Sequence, residues 1–363
     1  MKLFVCPLCG GRLYFENAQC LNCGSLVLYD PDAAAFVLSG QDAAACTNAT
    51  ECGCNWVSER RGGPFCRACA LNQTIPDMSI SGNRERWIRV EAAKKRAVYS
   101  LLAFGLPVGP KANAGDEIGI AFDFLADPLL GDAPTGEHVL TGHDNGLITL
   151  NVAEADSAER EKMRAEMGEN YRTLLGHFRH ELGHYYWDRL IRDDPGRLER
   201  FHQLFGDESA DYDEALRRHY AQGAPPDWEI RHISPYAASH PWEDWAETFA
   251  HCLHITDTLE MVRALNMPLA RLETDAGEEL PDSDKGQPSP GQMQQPAGGG
   301  KPAPEAFERT LARWLVLSEA SNSNNRCMGL PDLYPFVISP VAAEKLGFVH
   351  ELLARGAAAK AGR

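Results

Sequence analysis

The sequence has no apolar run that approaches the roughly 20 residues a membrane-spanning helix needs, which excludes a helical membrane protein. Positive charge is also scarce: 35 Lys and Arg stand against 51 Asp and Glu, giving a formal net charge of −16. Such an acidic chain is poorly suited to broad contact with nucleic acid or an anionic membrane surface. Residues 1–5 offer no hydrophobic core of a signal peptide before the first cysteine. We therefore expect a soluble, cytoplasmic protein with neither a membrane nor a nucleic-acid partner.

The string HELGH, which contains His180, Glu181 and His184, lies in a segment whose apolar residues recur at helical spacing. On a helix, positions four apart share a face, so the two imidazoles converge on one point. Two ring nitrogens there suit a zinc ion, which in catalytic sites keeps a position for water. The carboxylate of Glu181 lies at the rim of the same face, where it can take a proton from that water. The motif therefore predicts metal-assisted hydrolysis.

A second predicted helix, which begins near Pro241, offers carboxylates for a third ligand. Glu243 and Glu247 lie four residues apart among tryptophan, phenylalanine and alanine, where an unpaired carboxylate is costly. A catalytic zinc takes three protein ligands. The third histidine of the metzincin motif is absent, since Trp187 stands where that motif needs glycine. The residues therefore predict a site of two histidines and one glutamate, and leave open which carboxylate binds.

Four of the 11 cysteines form two C-x-x-C pairs near the N-terminus. Each pair places two thiolates on a tight turn, and a glycine follows each pair. Four thiolates close a tetrahedral structural zinc site. The sequence therefore predicts a zinc ribbon with the ligands Cys6, Cys9, Cys20 and Cys23.

A second structural zinc site is predicted from five further cysteines: Cys46, Cys52, Cys54, Cys66 and Cys69. Only the last two form a C-x-x-C pair, and the residues alone leave open which two of the others complete the site. A free or redox-active pair is the alternative, whereas disulfides are disfavoured in a cytoplasmic chain. Residues 1–70 hold five basic and six acidic residues, which is a poor basis for phosphate contacts. We expect this part to stabilise the fold or to bind a protein partner.

Together these blocks resemble a family of zinc-binding metallopeptidases that carry an N-terminal zinc ribbon. The resemblance covers nearly the whole chain. It is carried by CPLCG, CLNCG, FCRACALNQTIPD, HFRHELGHYYW and HPWEDWAETFAHCLHI. The HELGH and EDWAE blocks are also similar to the catalytic domain of anthrax lethal factor, a protease of the gluzincin type.

The resemblance assigns roles that the residues alone leave open. It implies that Glu243 is the third zinc ligand. It also implies that Glu247 contacts a ligating residue instead of the zinc, or serves as an alternative ligand. It also implies that the phenol of Tyr236 steadies the oxyanion of the reaction. For the second cysteine group, the family pattern favours Cys46 and Cys54 as partners of the C-x-x-C pair.

The implied fold class is α+β: a zincin-like catalytic domain, with a small sheet and a metal-bearing helix, follows small zinc-ribbon modules and precedes a helical C-terminal part. Strands are expected near 117–124 and 147–152. Residues 84–102 are expected to form a helix whose basic residues face solvent or a partner. The expected domains are a zinc ribbon at 1–30, a second cysteine-rich zinc module at 31–80, a zincin-like metallopeptidase domain at 81–272, a disordered linker or insertion at 273–304, and helices at 305–363 that pack on the catalytic domain.

The expected activity is zinc-dependent hydrolysis of peptide bonds, with Glu181 as general base and with zinc and Tyr236 sharing the charge of the oxyanion. The expected cofactors are one catalytic and one or two structural zinc ions. A peptide or protein is the expected substrate, and the zinc ribbons are candidate sites for a protein partner. Two alternatives stay open. One is a catalytically silent zinc-binding scaffold, which the intact Glu181 disfavours, and the other is a metal-dependent hydrolase of non-peptide amides.

Overall fold

The computed structural model describes residues 2–40, 43–59, 63–113, 115–130, 133–134, 138–166, 172–267, 269 and 307–361. The predicted linker at 273–304 lies outside these residues. The chain divides into two units, one of Met1–Leu265 with Pro335–Arg363 and one of Asn266–Tyr334. None of the described helices is both long enough and apolar enough to span a membrane.

Two hairpins build the cysteine-rich N-terminal part. Strand β1 (Phe4–Val5) pairs antiparallel with β2 (Arg12–Leu13), and β3 (Val27–Asp30) pairs antiparallel with β4 (Ala35–Leu38). The predicted boundary after residue 30 lies inside the second hairpin. A short helix, α1 (Ala49–Cys52), follows. The hairpins enclose a cluster of buried aromatic rings, formed by Phe4, Phe15, Tyr29, Phe36 and Trp56.

A four-stranded sheet with the order β5-β6-β10-β9 forms the centre of the larger unit. Its strands are β5 (Asn72–Thr74), β6 (Ala121–Leu125), β9 (Gly142–Asp144) and β10 (Leu147–Asn151). The inner strands β6 and β10 run parallel, and β9 lies antiparallel at one edge. Two further short strands, β7 (Leu129–Leu130) and β8 (Ala133–Pro134), pair with each other. The two inner strands confirm the strands expected near 117–124 and 147–152, and β5 joins the cysteine-rich part to this sheet.

Helices make up most of the remaining structure, which confirms the α+β class. They are α2 (Asn83–Ala103), α3 (Ser157–Glu166), α4 (Leu174–Trp187), α5 (Pro195–Phe205), α6 (Tyr212–Gln222), α7 (Trp228–Arg231), α8 (Pro241–Ala264), α9 (Phe307–Cys327) and α10 (Pro340–Ala361). Helix α9 lies in the smaller unit, where Asn322 Nδ2 donates to the Tyr334 carbonyl at 2.8 Å. Helix α10 lies in the larger unit and packs on α8.

Helix α2 corrects one expectation, because its basic residues do not all face outward. Lys94 is fully buried and Lys95 nearly so. The Lys94 ammonium pairs with the Glu91 carboxylate at 2.9 Å, and both side chains are shielded from solvent. A buried charge of this kind is tolerated when it is paired and hydrogen-bonded.

Helices α4 and α8 pack closely together beneath the sheet. The ring of Phe178 on α4 contacts Phe122 and Phe124 of β6, with centroids 5.5 and 6.1 Å apart. On the opposite side, Trp245 Nε1 on α8 donates to the Gly183 carbonyl of α4 at 2.8 Å. These contacts place the HELGH segment between the sheet and α8.

Candidate metal centre and active site

The two motif histidines project from α4 toward one point, as their spacing predicts. Thr173 caps the helix, since its Oγ1 accepts from the Gly176 amide at 3.0 Å. The Nε2 atoms of His180 and His184 lie 3.2 Å apart, and both side chains are buried. A long, capped helix therefore presents two ring nitrogens at a single buried position.

Glu243 completes the group from α8. Its Oε2 lies 2.9 Å from His180 Nε2, and its Oε1 lies 3.5 Å from His184 Nε2. The residue is only 1% exposed. His240 caps α8 by accepting from the Trp242 amide, and Pro241 occupies the first turn. One ligand atom from each of the three residues lies within 4.8 Å of the others, so the fold brings together the predicted set.

The chemistry of these atoms fits a bound cation. Glu243 Oε1 accepts from the Tyr212 hydroxyl at 2.6 Å, whereas the buried Oε2 faces His180 Nε2 at 2.9 Å and has no other possible donor among the described residues. Burial by itself lowers the pKa of His180, but its contacts with Glu243 and Glu247 raise that pKa well above the ordinary value. The carboxylates therefore stabilise positive charge at this point. Two imidazoles and one carboxylate are a zinc-binding donor set.

Glu247 contacts the second ring nitrogen of His180 rather than the converging ligand atoms. Its Oε1 lies 2.8 Å from His180 Nδ1, and its Oε2 accepts from the Ser234 hydroxyl at 2.7 Å. When Nδ1 donates to Glu247, the Nε2 of His180 is left with a lone pair toward the site. An outer carboxylate of this kind fixes the tautomer and the orientation of a ligating histidine.

Two further candidate residues, Glu181 and Tyr236, neighbour His180, the first along α4 and the second by a ring contact. Glu181 follows His180 on α4 and is 8% exposed. The Tyr236 ring lies 5.9 Å from the His180 ring, measured between centroids. Burial first, and then the charges of Glu243 and Glu181, raise the pKa of Tyr236 well above its ordinary value. The phenol therefore stays protonated and can donate a hydrogen bond.

Several residues at the site escaped the sequence analysis. Tyr212 on α6 bonds to Glu243, and burial keeps its pKa far above the ordinary value. The Trp242 ring covers His184 with centroids 4.0 Å apart. His143 on β9 stacks parallel to His184 at 6.3 Å, and burial lowers the pKa of His143 to about 3. Tyr212 and His143 belong to no spaced motif, so only the three-dimensional fold reveals them.

Gly183 allows α4 and α8 to approach closely enough for Glu243 to reach the histidines. A Cβ atom at this position would lie 3.0 Å from the Ala246 Cα and 3.2 Å from the Ala246 carbonyl oxygen. Backbone atoms cannot give way as the tip of a flexible side chain can. The glycine of HELGH therefore sets the distance between the two helices.

Replacing Gly183 with alanine is expected to lower the free energy of unfolding by about 1–3 kcal/mol, although alanine is the better helix former. The helices must separate, so the zinc content of the purified protein should fall as well. Chemical denaturation and elemental analysis measure the two effects. Gly196→Ala on α5 is the control, because among the described residues a Cβ there comes nearest to Asp194 Oδ1, at an ordinary 3.6 Å. Equal stability of both variants would contradict the prediction.

Both cysteine groups also converge. In the first, Cys6 Sγ lies 3.7 Å from Cys23 Sγ, and Cys9 Sγ lies 3.7 Å from Cys20 Sγ. In the second, ligand atoms that lie within 4.8 Å of one another come from four buried residues, namely Cys46, Cys54, Cys66 and Cys69. Cys52 falls outside this set and groups with Cys69 and Glu91. Each four-thiol group suits a structural zinc site.

The second cysteine group is joined to the central sheet through polar contacts. Cys69 Sγ lies 3.9 Å from Glu91 Oε2, and Glu91 Oε1 accepts from Asn72 Nδ2 at 2.6 Å. Asn72 begins β5, and its side chain also contacts Lys94. The Lys94 ammonium lies 5.3 Å from the centroid of the Phe124 ring on β6. The cysteine-rich part and the sheet therefore share one buried network.

Two family models match successive parts of the chain. A family model described as "Putative zinc-binding metallo-peptidase" matches residues 83–352, and one described as a zinc-ribbon domain matches residues 3–80. Two uncharacterized proteins, one from Mycobacterium bovis and one from Mycobacterium tuberculosis, are each 40% identical over 357 residues. The matched region covers 97% of this chain and 95% of each relative. No solved structure matches the chain.

Proposed function

The chain belongs to the zinc-binding metallopeptidase family that matches its residues 83–352, and from this premise we propose that it hydrolyses peptide bonds at a zinc ion held by His180, His184 and Glu243. The observation that carries the proposal is the convergence of ligand atoms from these three buried residues, in which Glu243 Oε2 lies 2.9 Å from His180 Nε2. Zinc held by these residues would supply Lewis-acid chemistry and would lower the pKa of a bound water.

The chain's own residues supply the remaining steps of the proposed reaction. Glu181 accepts the proton of the attacking water and later delivers it to the leaving amine. Tyr236, which burial keeps protonated, donates to the oxygen on which negative charge develops. Glu247 holds the ring of His180, and Tyr212 holds one oxygen of Glu243. With these two contacts made, Oε2 of Glu243 would be the oxygen available to a metal ion.

We also propose three zinc ions per chain: one at this site and one at each four-cysteine group. The structural ions would be held by Cys6, Cys9, Cys20 and Cys23 and by Cys46, Cys54, Cys66 and Cys69. A protein partner that binds the zinc ribbons stays a prediction, as does the cytoplasmic location.

Cleavage of a diverse mixture of peptides and unfolded proteins, read by mass spectrometry, tests the proposed function. We expect products from zinc-loaded protein, loss of those products after treatment with a chelator that spares the cysteine sites, and their return when zinc is restored. A zinc-loaded protein that cleaves nothing would support the silent scaffold. Cleavage that persists after the metal is removed would overturn the zinc mechanism.

Tyr212→Phe is expected to weaken zinc binding at the proposed site by about tenfold, since outer hydrogen bonds to metal ligands commonly contribute 10- to 100-fold in affinity. Without the phenol, Glu243 Oε1 loses its 2.6 Å donor and the carboxylate can rotate. Competition with a zinc chelator measures the change. The control is Tyr14→Phe, which removes an exposed phenol in the N-terminal module. Equal affinity in both variants would contradict this role.

A further inference from the structure

Helix α10 reaches the candidate site through one buried lysine. Lys345 is 3% exposed, and its Nζ donates to Asp244 Oδ2 at 2.5 Å. Asp244 is fully buried and directly follows Glu243 on α8. A residue 101 positions away in sequence thus contacts the turn of α8 that carries the proposed third ligand.

The same ammonium also holds the preceding segment. Lys345 Nζ donates to the Arg231 carbonyl at the end of α7 at 2.7 Å, and His232 Nδ1 lies 3.0 Å from Asp244 Oδ2. Residues 232–240, which join α7 to α8, include Tyr236 and the serine that contacts Glu247. The end of α7 and the first turn of α8, which flank this segment, therefore both contact the Lys345 ammonium.

Electrostatics argue that this arrangement serves geometry more than stability. Burying two charges costs desolvation free energy that burying an apolar pair of the same size does not. Buried ion pairs therefore often add nothing to the free energy of unfolding. The Nζ also lies 5.4 Å from the centroid of the Phe205 ring, so its surroundings are partly apolar. A costly buried pair at this position fixes where the ends of the segment lie.

We propose that Lys345 is a positioning residue, which acts through Asp244 and the Arg231 carbonyl to set the positions of Glu243 and Tyr236 relative to the two histidines. The inference rests on the proposed function for its catalytic consequence. Its consequence for metal binding depends only on Glu243. A displacement of about 1 Å in reacting groups can cost about 10²-fold in rate, and loosened support of a ligand about tenfold or more in metal affinity.

The decisive variant is the double substitution Lys345→Met with Asp244→Asn. It removes both members of the ion pair together, so neither Lys345 nor Asp244 leaves a buried charge without its partner. We expect a thermal midpoint close to that of the wild type, kcat about 10²-fold lower with little change in KM, and zinc affinity about tenfold weaker in chelator competition. Wild-type kcat and zinc affinity in a stable double variant would overturn the proposal.

Two further variants keep the test decisive. Lys345→Arg retains the charge but replaces a compact ammonium by a planar guanidinium. We expect this variant to fold and to have a lowered kcat. If the double variant failed to fold, a wild-type kcat in Lys345→Arg would count against the proposal. Arg200→Gln is the control, since Arg200 pairs with Glu344 of α10 at 2.6 Å on the surface. It should change neither readout, and a loss equal to that of the Lys345 variants would assign the effect to general docking of α10.

The two readouts separate this inference from the proposed function. If the wild type cleaves no peptide, the proposed function fails, and the zinc competition still decides whether Lys345 supports Glu243. If the wild type cleaves and the double variant matches it in both readouts, the proposed function stands and the positioning role is wrong.

Discussion

Glu181→Gln is expected to lower kcat for peptide cleavage by about 10²–10⁴-fold, the range that general acid–base catalysis contributes. The glutamine keeps the size of the side chain but cannot accept the proton of an attacking water. Glu181 is not among the three residues whose ligand atoms converge, so the zinc content should stay at the wild-type value. Kinetics on a peptide identified by the cleavage screen, together with elemental analysis, measure both quantities.

The matched control is Glu199→Gln, which removes a carboxylate from the exposed side of α5. We expect this control to retain full activity. Near wild-type cleavage by a zinc-loaded Glu181→Gln protein would show that another group takes the proton. The nearby phenols are poor candidates, because burial raises the pKa values of Tyr212 and Tyr236. Loss of zinc from the variant would instead indicate that Glu181 supports the metal site.

The parts of the site that the sequence predicts are those fixed by local geometry. The pairing of His180 with His184 needs only the 3.6-residue period of a helix. Glu243 is a harder case, since the chain around it shows carboxylates among apolar residues but not how closely α8 approaches α4. That distance depends on the absence of a Cβ at Gly183, where the backbone of Ala246 lies in contact. The resemblance to a family, rather than any spacing, singled out Glu243.

The contacts that sequence reasoning missed join residues without a common period. Tyr212 and Glu243 are 31 positions apart and lie on different helices, and Lys345 and Asp244 are 101 positions apart. The expected outward position of Lys94 was wrong for a related reason. Its partner Glu91 lies one turn away on the same helix, but its second partner, Asn72, lies on a strand that meets this helix only in the folded chain. A periodic pattern gives the average face of a helix, whereas burial of one charge depends on a particular partner.

Cys66→Ser is expected to remove one zinc ion per chain and to unfold the second cysteine group. Binding of structural zinc contributes about 10–16 kcal/mol in zinc-finger peptides, which is comparable to the whole free energy of unfolding of a domain, about 5–15 kcal/mol. Cys66 is fully buried, so a serine there can neither bind zinc well nor reach water. Elemental analysis gives the zinc count, and hydrogen exchange should show lost protection at residues 43–59.

Cys52→Ser is the control, because it alters a neighbouring buried cysteine that falls outside the four converging thiols. The Cys52 Sγ contacts the Asn48 carbonyl at 3.4 Å, a bond that a serine hydroxyl can replace. We expect this variant to retain three zinc ions. A loss of zinc equal to that of Cys66→Ser would place Cys52 among the ligands.

The second cysteine group also contacts Glu91 through Cys69, and Asn72 of β5 accepts from Lys94 in the same network. Unfolding of the second cysteine group in Cys66→Ser should therefore lower peptide cleavage as well, even though the candidate site lies on α4 and α8.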